Sequence, residues 1–258
     1  MIRHLSARPI MTEPTGVKAE TSDPQLAAAL HLAGTDMSPE NRLRVAEQYL
    51  RLGVADTAYT WANGALLQNP RFARAHEMVA RIWRDWGFPG LGLAPASRAT
   101  YFDPASASAA NTLGTVLDAL GQPVAAERAF ARAVTLDATA SWALNNLCFV
   151  ELRMGRLPEA RSHCQAALVL DPRMAAAGNN LALTYVASGD ATAAARAFLT
   201  TGNAAAAAYN RGIVHMAGRE YQRAAEAFEQ AIAERPSFTA AKTRAHEARV
   251  LAITSAHD

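Results

Sequence analysis

The chain has 258 residues, half of them apolar, with 25 basic against 23 acidic residues and a formal net charge of +2. That near balance argues against a phosphate backbone as the main partner, so no nucleic acid is expected, and no apolar run reaches the roughly 18 residues of a membrane span. Aromatic residues are only 7% while alanine is abundant, a mix that favours closely packed helices, because Ala is the strongest helix former and lets helix axes approach.

In chain order, residues 1–22 carry neither the apolar segment of a secretory signal nor a cysteine for lipid attachment. They are expected to form a disordered tail. The chain is accordingly expected to be cytoplasmic, with an exported or periplasmic location as the alternative should a leader precede Met1. "PQLAAALHLAG", within 23–38, reads as an N-terminal capping helix. From residue 39 a period appears. Gly53, Gly87, Gly121, Gly155 and Gly189 stand 34 residues apart, and seventeen residues after the first four come Pro70, Pro104, Ala138 and Pro172. Five residues after each glycine stands a small residue, Ala58, Gly92, Ala126, Ala160 and Ala194. Another small column, Ala46, Ala80, Gly114, Cys148 and Ala182, lies twelve residues before these.

Each period holds two short apolar-striped helices, a glycine turn and a proline stop. The pattern resembles the tetratricopeptide repeat, a 34-residue helix–turn–helix unit. The copies fall at 39–72, 73–106, 107–140, 141–174, 175–204 and 205–238, and a more charged segment at 239–258 is expected to be a C-terminal capping helix and tail. The resemblance implies an all-α fold, a right-handed α-solenoid of about six helix-turn-helix repeats closed by that capping helix.

Three copies depart from the pattern. In the second, "DWGFPGLGLAPASRATYFDP" lacks the Lys-Ser or Lys-Thr of a phosphate loop and reads as a weakened repeat. Its Pro95 is expected to kink or shorten the second helix of that copy. The fifth copy is four residues short, and "TTGN" at 200–203 is expected to end its second helix early. In the sixth, Gly218 stands as the turn glycine one residue ahead of its column, and Arg211 replaces the usual Leu or Val.

Catalytic signatures are lacking. "HEMVA" at His76 and "HEARV" at His246 have no second histidine four residues on, and there is no Gly-x-Ser-x-Gly elbow. The expectation is a non-catalytic chain without cofactor or metal. Cys148 and Cys164 occupy columns that face one another across the fourth hairpin. The favoured reading is two small buried thiols, and the alternative is a disulfide joining the helices. Glu151 and His215 share a column that elsewhere holds Tyr49, Trp83, Leu117 and Tyr185, and both are read as polar groups with a partner.

In proteins of the family that this pattern resembles, the first helices line a concave face where ligands bind. Here they carry two amide columns, Asn111, Asn145 and Asn179 beside Asn146, Asn180 and Asn210. These resemble the asparagine ladder of the solenoid attached to O-linked GlcNAc transferases, which implies a grip on an extended peptide backbone. Repeat ancestry alone is the competing explanation. Phe149 and Leu183, with Trp142, Leu152 and Val186, make the later copies apolar, while Arg44, Glu47, Arg51, Arg74, Glu77, Arg81 and Arg84 make the earlier ones charged. The expected function is a protein-interaction scaffold that holds a protein or peptide partner in this groove, with self-association open. Accessory work in pilus assembly or secretion is an alternative, since short alanine-rich bacterial repeat proteins of Tad-type pilus systems are similar in style. Regulation of a separate enzyme is another.

Overall fold

The computed structural model describes residues 23–199 and 204–255. The expected tail at 1–22 and the "TTGN" segment at 200–203 lie outside these residues. Among the described residues there are fourteen helices and no strand. They divide into two compact units, with the boundary between Leu120 and Gly121. The first unit contains α1 (Pro24–Thr35), α2 (Pro39–Arg51), α3 (Ala55–Gln68), α4 (Ala73–Asp85), α5 (Pro89–Phe102) and α6 (Ala107–Ala119). The second contains α7 (Pro123–Leu136), α8 (Ser141–Arg153), α9 (Leu157–Leu170), α10 (Ala175–Ala187), α11 (Ala191–Leu199), α12 (Ala204–Ala217), α13 (Tyr221–Glu234) and α14 (Thr239–Ser255). Within each unit consecutive helices pack as antiparallel pairs.

The turn glycines do the work the spacing predicts. Gly53 adopts φ +78° after α2, its N–H donates to the Leu50 carbonyl at 3.0 Å, and the Val54 N–H donates to the Tyr49 carbonyl at 2.9 Å. Gly87, Gly155 and Gly189 repeat this closure with φ of +80°, +75° and +80°. A residue without Cβ enters the left-handed region at little cost and lets orphan carbonyls of the last turn find donors. The sixth copy corrects the expectation for Gly218. Its left-handed residue is Arg219, at φ +58°, and the Glu220 N–H donates to the His215 carbonyl at 2.9 Å. The register of the turn is held there by a side-chain-bearing residue in a conformation that disfavours one.

Pro39, Pro89 and Pro123 open their helices, where a missing N–H costs nothing. Pro95 does not shorten its helix, which corrects that part of a second expectation. α5 runs through it for 14 residues, the same length as α3. The lost donor faces the carbonyl of Leu91, an exposed residue of the first turn, so water can satisfy what the helix cannot. The small columns explain the close pairing. A Cβ on Gly92 would come within 2.9 Å of the Ala80 carbonyl oxygen, and one on Gly212 would run into the Phe228 ring.

The first unit buries Leu43, Val45, Ala46, Val79 and Ile82, with a rim of rings around them. Trp83 meets Tyr59 and Trp86 at centroid distances of 5.3 and 5.2 Å, and Phe88 at 6.3 Å. The second unit packs Phe228 between α12, α13 and α14, with Ala245 and Ala248 of α14 against it. An Arg249–Glu229 ion pair at 2.6 Å ties α14 to α13 at the surface.

Candidate functional site

The amide columns and the apolar residues beside them fall on the first helices of the second unit. On α8, Trp142, Asn145 and Phe149 follow the three- and four-residue spacing of one helix face. Trp142 is 38% and Phe149 39% exposed, whereas Leu144, Leu147 and Cys148 on the opposite side are buried. Leu183 on α10 is half-buried, as are Asn146, Asn179 and Asn180, and Asn210 on α12 is buried. Asn111 stands on α6, half-buried, in the first unit.

The amides pair across copies and across the two columns. Asn180 Nδ2 donates to Asn145 Oδ1 at 3.0 Å, and Asn210 Nδ2 donates to Asn179 Oδ1 at 3.2 Å. In each pair the later copy gives the proton and the earlier one receives it. A single bond leaves capacity on both amides. Asn145 keeps its two N–H donors, and Asn180 keeps its carbonyl oxygen and its second N–H. The second pair survives the short fifth copy, although Asn180 and Asn210 are 30 residues apart where Asn146 and Asn180 are 34.

Behind this face the α8–α9 hairpin is held twice. Cys148 and Cys164 form a disulfide, with Cα atoms 5.4 Å apart and both residues at 0% exposure, where the favoured expectation was two thiols. Ala160 and Leu181 complete the buried cluster around the sulfurs. Near the disulfide, Glu151 is only 3% exposed, and its Oε2 accepts a 2.7 Å hydrogen bond from His163 Nδ1. The Glu151 carboxylate raises the His163 pKa above its ordinary value, against the opposing pull of burial, with Glu127 and Glu159 adding to the rise. Arg156 pairs with Glu127 at the same end of the hairpin. In the equivalent position of the sixth copy, His215 Nδ1 donates to Glu220 Oε2 at 2.6 Å.

The first unit's corresponding face is polar, and its charges are largely spoken for. Arg74 reaches Glu47 at 2.7 Å. Glu77 on α4 is buried and accepts from Ser108 at 2.5 Å and Thr112 at 3.2 Å, both on α6. Arg84 donates to Thr115 and Asp85, each at 2.7 Å. His163, Glu220, Ser108 and Thr112 are polar partners that sequence reasoning did not single out. For His163 the signal was present, since it directly precedes Cys164, whose column faces α8.

Among the described residues no group of three His, Cys, Asp or Glu could hold a metal ion, and no helix is long and apolar enough to cross a membrane. Residues 205–238 match the family model of the tetratricopeptide repeat. No curated protein sequence matches the chain. Among solved structures it is similar to a chain of the APC/C hetero-tetramer Cut9–Hcn1, with a TM-score of 0.75 and 19% identity. That alignment covers 86% of this chain and 45% of the other, so the chain spans under half the length of that relative. It is similar to PilW, described as a widely conserved type IV pilus biogenesis factor (TM-score 0.71, 20% identity, 80% of this chain and 97% of that one). It is also similar to PilF of Pseudomonas aeruginosa (TM-score 0.67, 19% identity, 84% and 99%). At these identities the likeness establishes the fold, which is the all-α helix-pair fold of tetratricopeptide proteins.

Proposed function

We propose that the chain is a non-catalytic interaction scaffold, and that the first-helix face of its second unit holds an extended segment of a protein partner. The observation that carries this reading is the Asn145–Asn180 pair set beside exposed Trp142 and Phe149. The pair fixes both amides while leaving donors and an acceptor of the kind a peptide backbone complements. The two rings are rigid apolar surfaces of the type that dominates binding energy. The polar face of the first unit is a weaker candidate, because Glu47, Glu77 and Arg84 already have partners within the protein.

Affinity capture from a native cell extract, followed by mass spectrometry, tests the reading. Wild type is compared with Trp142→Ala/Phe149→Ala and with Asn146→Ala/Asn180→Ala. A partner of this face is recovered roughly tenfold less or worse by the ring variant, as expected for loss of anchor residues, with the helical circular dichroism spectrum retained. Equal recovery by wild type and both variants removes the face from consideration.

A second reading, an accessory factor of pilus assembly or secretion, draws support from the likeness to PilW and from the disulfide. Disulfides persist in exported proteins and are rare in the reducing cytosol, so this reading carries an exported location in place of a cytoplasmic one. Loss of surface pili on deletion of the gene, restored by the wild-type chain, is its expected outcome. Normal piliation rules it out.

A further inference from the structure

The Cys148–Cys164 bond lies directly behind the proposed binding face. Asn145 and Phe149 flank Cys148 on α8, within one helical turn. Leu181, the neighbour of Asn180 on α10, packs in the same buried cluster as both sulfurs. The disulfide therefore touches the framework of both members of the Asn145–Asn180 pair. In the first two copies the same columns hold Ala46 with Ala62 and Ala80 with Ala96, so the hairpin form does not itself demand a covalent link. The fourth copy differs in one further respect. It buries the Glu151 carboxylate between the same two helices, and that group depends on His163 of α9 staying within hydrogen-bond reach. Taking a charged pair out of water costs more than its mutual attraction commonly returns. Closing this hairpin therefore carries a desolvation cost that the alanine-filled hairpins of the first two copies do not, and the covalent link offsets it.

We propose that oxidation of Cys148 and Cys164 is the step that fixes α8, so that the binding face of the second unit is formed only in the oxidised chain. The role of that face rests on the function proposed above, whereas the redox step rests on the placement of the two cysteines. The chemistry is a dithiol–disulfide exchange with a disulfide-bearing thiol oxidant. One cysteine, as thiolate, attacks the oxidant's disulfide and expels one of its sulfurs as a thiolate. The second cysteine then attacks the mixed disulfide and releases the other. Two protons and two electrons leave the chain, and the oxidant becomes a dithiol. Both sulfurs are fully enclosed in the folded protein, so exchange requires an open hairpin. Oxidation accordingly accompanies folding, and the closed hairpin then shields the bond from reductants.

Hydrogen–deuterium exchange of the full chain decides the matter without any partner, which separates failure here from failure of the peptide-holding reading. Three preparations are compared. They are the oxidised protein, the protein reduced in denaturant and refolded in excess dithiothreitol, and Cys148→Ala/Cys164→Ala, the residue pair that the first two copies carry. Backbone amides of α8 and α9 are expected to exchange about tenfold faster or more in the reduced and double-alanine chains, a local opening that leaves α4 unchanged. Iodoacetamide is expected to label neither cysteine of the oxidised protein until it is both unfolded and reduced. Equal exchange of α8 in oxidised and reduced chains overturns the proposal. So does a double-alanine chain as protected as the oxidised one, or labelling of both cysteines in protein never exposed to reductant.

Discussion

In the first unit the α4–α5 turn closes among rings, with Trp83 in contact with Tyr59, Trp86 and Phe88. In the second unit the α8–α9 hairpin closes around a disulfide and a buried Glu151–His163 pair. The first solution is non-covalent and indifferent to redox conditions, whereas the second depends on both oxidation and protonation. The same repeat geometry thus tolerates very different closing chemistry, because small residues in the facing columns set how near the helices come and leave the filler open to choice. The first-helix faces differ in parallel. Carboxylates and guanidinium groups of the first unit pair with each other or with hydroxyls of the next first helix, while the second unit presents amides and rings.

The largest expected effect is truncation of a core ring. Phe228→Ala removes a fully buried side chain and is expected to cost about 3–5 kcal/mol. Trp83→Ala, at a half-buried site shared by three other rings, falls below that. Hydrogen exchange resolved by helix is expected to show each loss of protection confined to its own unit. If both units lose protection together in either variant, the two are one cooperative body and the comparison collapses.

A smaller effect separates the units by pH. Burial lowers the His76 pKa below its ordinary value near 6.5, opposed by the bond its Nε2–H donates to the Pro70 carbonyl at 2.9 Å and reinforced by nearby Arg98. A folded-state value below the unfolded one gives stability that is present above about 6.5 and lost as pH falls through the folded value. His163 runs the other way. Its raised value gives stability that is present below about 6.5 and lost as pH rises through the folded value. Acidification should therefore loosen α4 first, and alkalinisation should loosen the α8–α9 hairpin first, as read by amide exchange between pH 5 and 9. The same pH trend in both hairpins would contradict the assignment.

The smallest effect concerns Arg219. Replacing this left-handed, exposed residue by glycine is expected to raise stability by about 0.5–1 kcal/mol, seen as a higher urea midpoint with an unchanged slope. A lower midpoint would show that the arginine side chain matters more than its backbone cost.

Much of the fold was legible because a 34-residue rhythm of glycines marks turns that only a residue without Cβ enters freely. Arg219 shows the limit of that signal. Once a turn is over-determined by the helices on either side, a non-glycine residue can be forced into it, and sequence then points to the wrong neighbour, Gly218. Pro95 misleads for a related reason, since proline breaks a helix only where the lost bond goes unpaid by water or packing. For the candidate site, the asparagines were found but their pairing was not. Reading equivalent positions as vertical columns hides the stagger between successive repeats, which sets Asn145 beside Asn180 and Asn179 beside Asn210. The two cysteines were placed opposite one another correctly, yet their oxidation depends on surroundings that no residue pattern encodes. Glu151 was recognised as needing a partner, and only the packed helices show that His163 supplies it.

The survival of the Asn179–Asn210 bond across a repeat four residues shorter than its neighbours has an engineering corollary. The shortening falls between the start of α11 and the start of α12, and the first helices keep their step. Chain length is therefore elastic on one layer and metered on the other. Insertions and deletions grafted into second helices could re-aim the array while its amide hooks and eyes stay fastened, whereas the same edits in a first helix would unhook every rung beyond them.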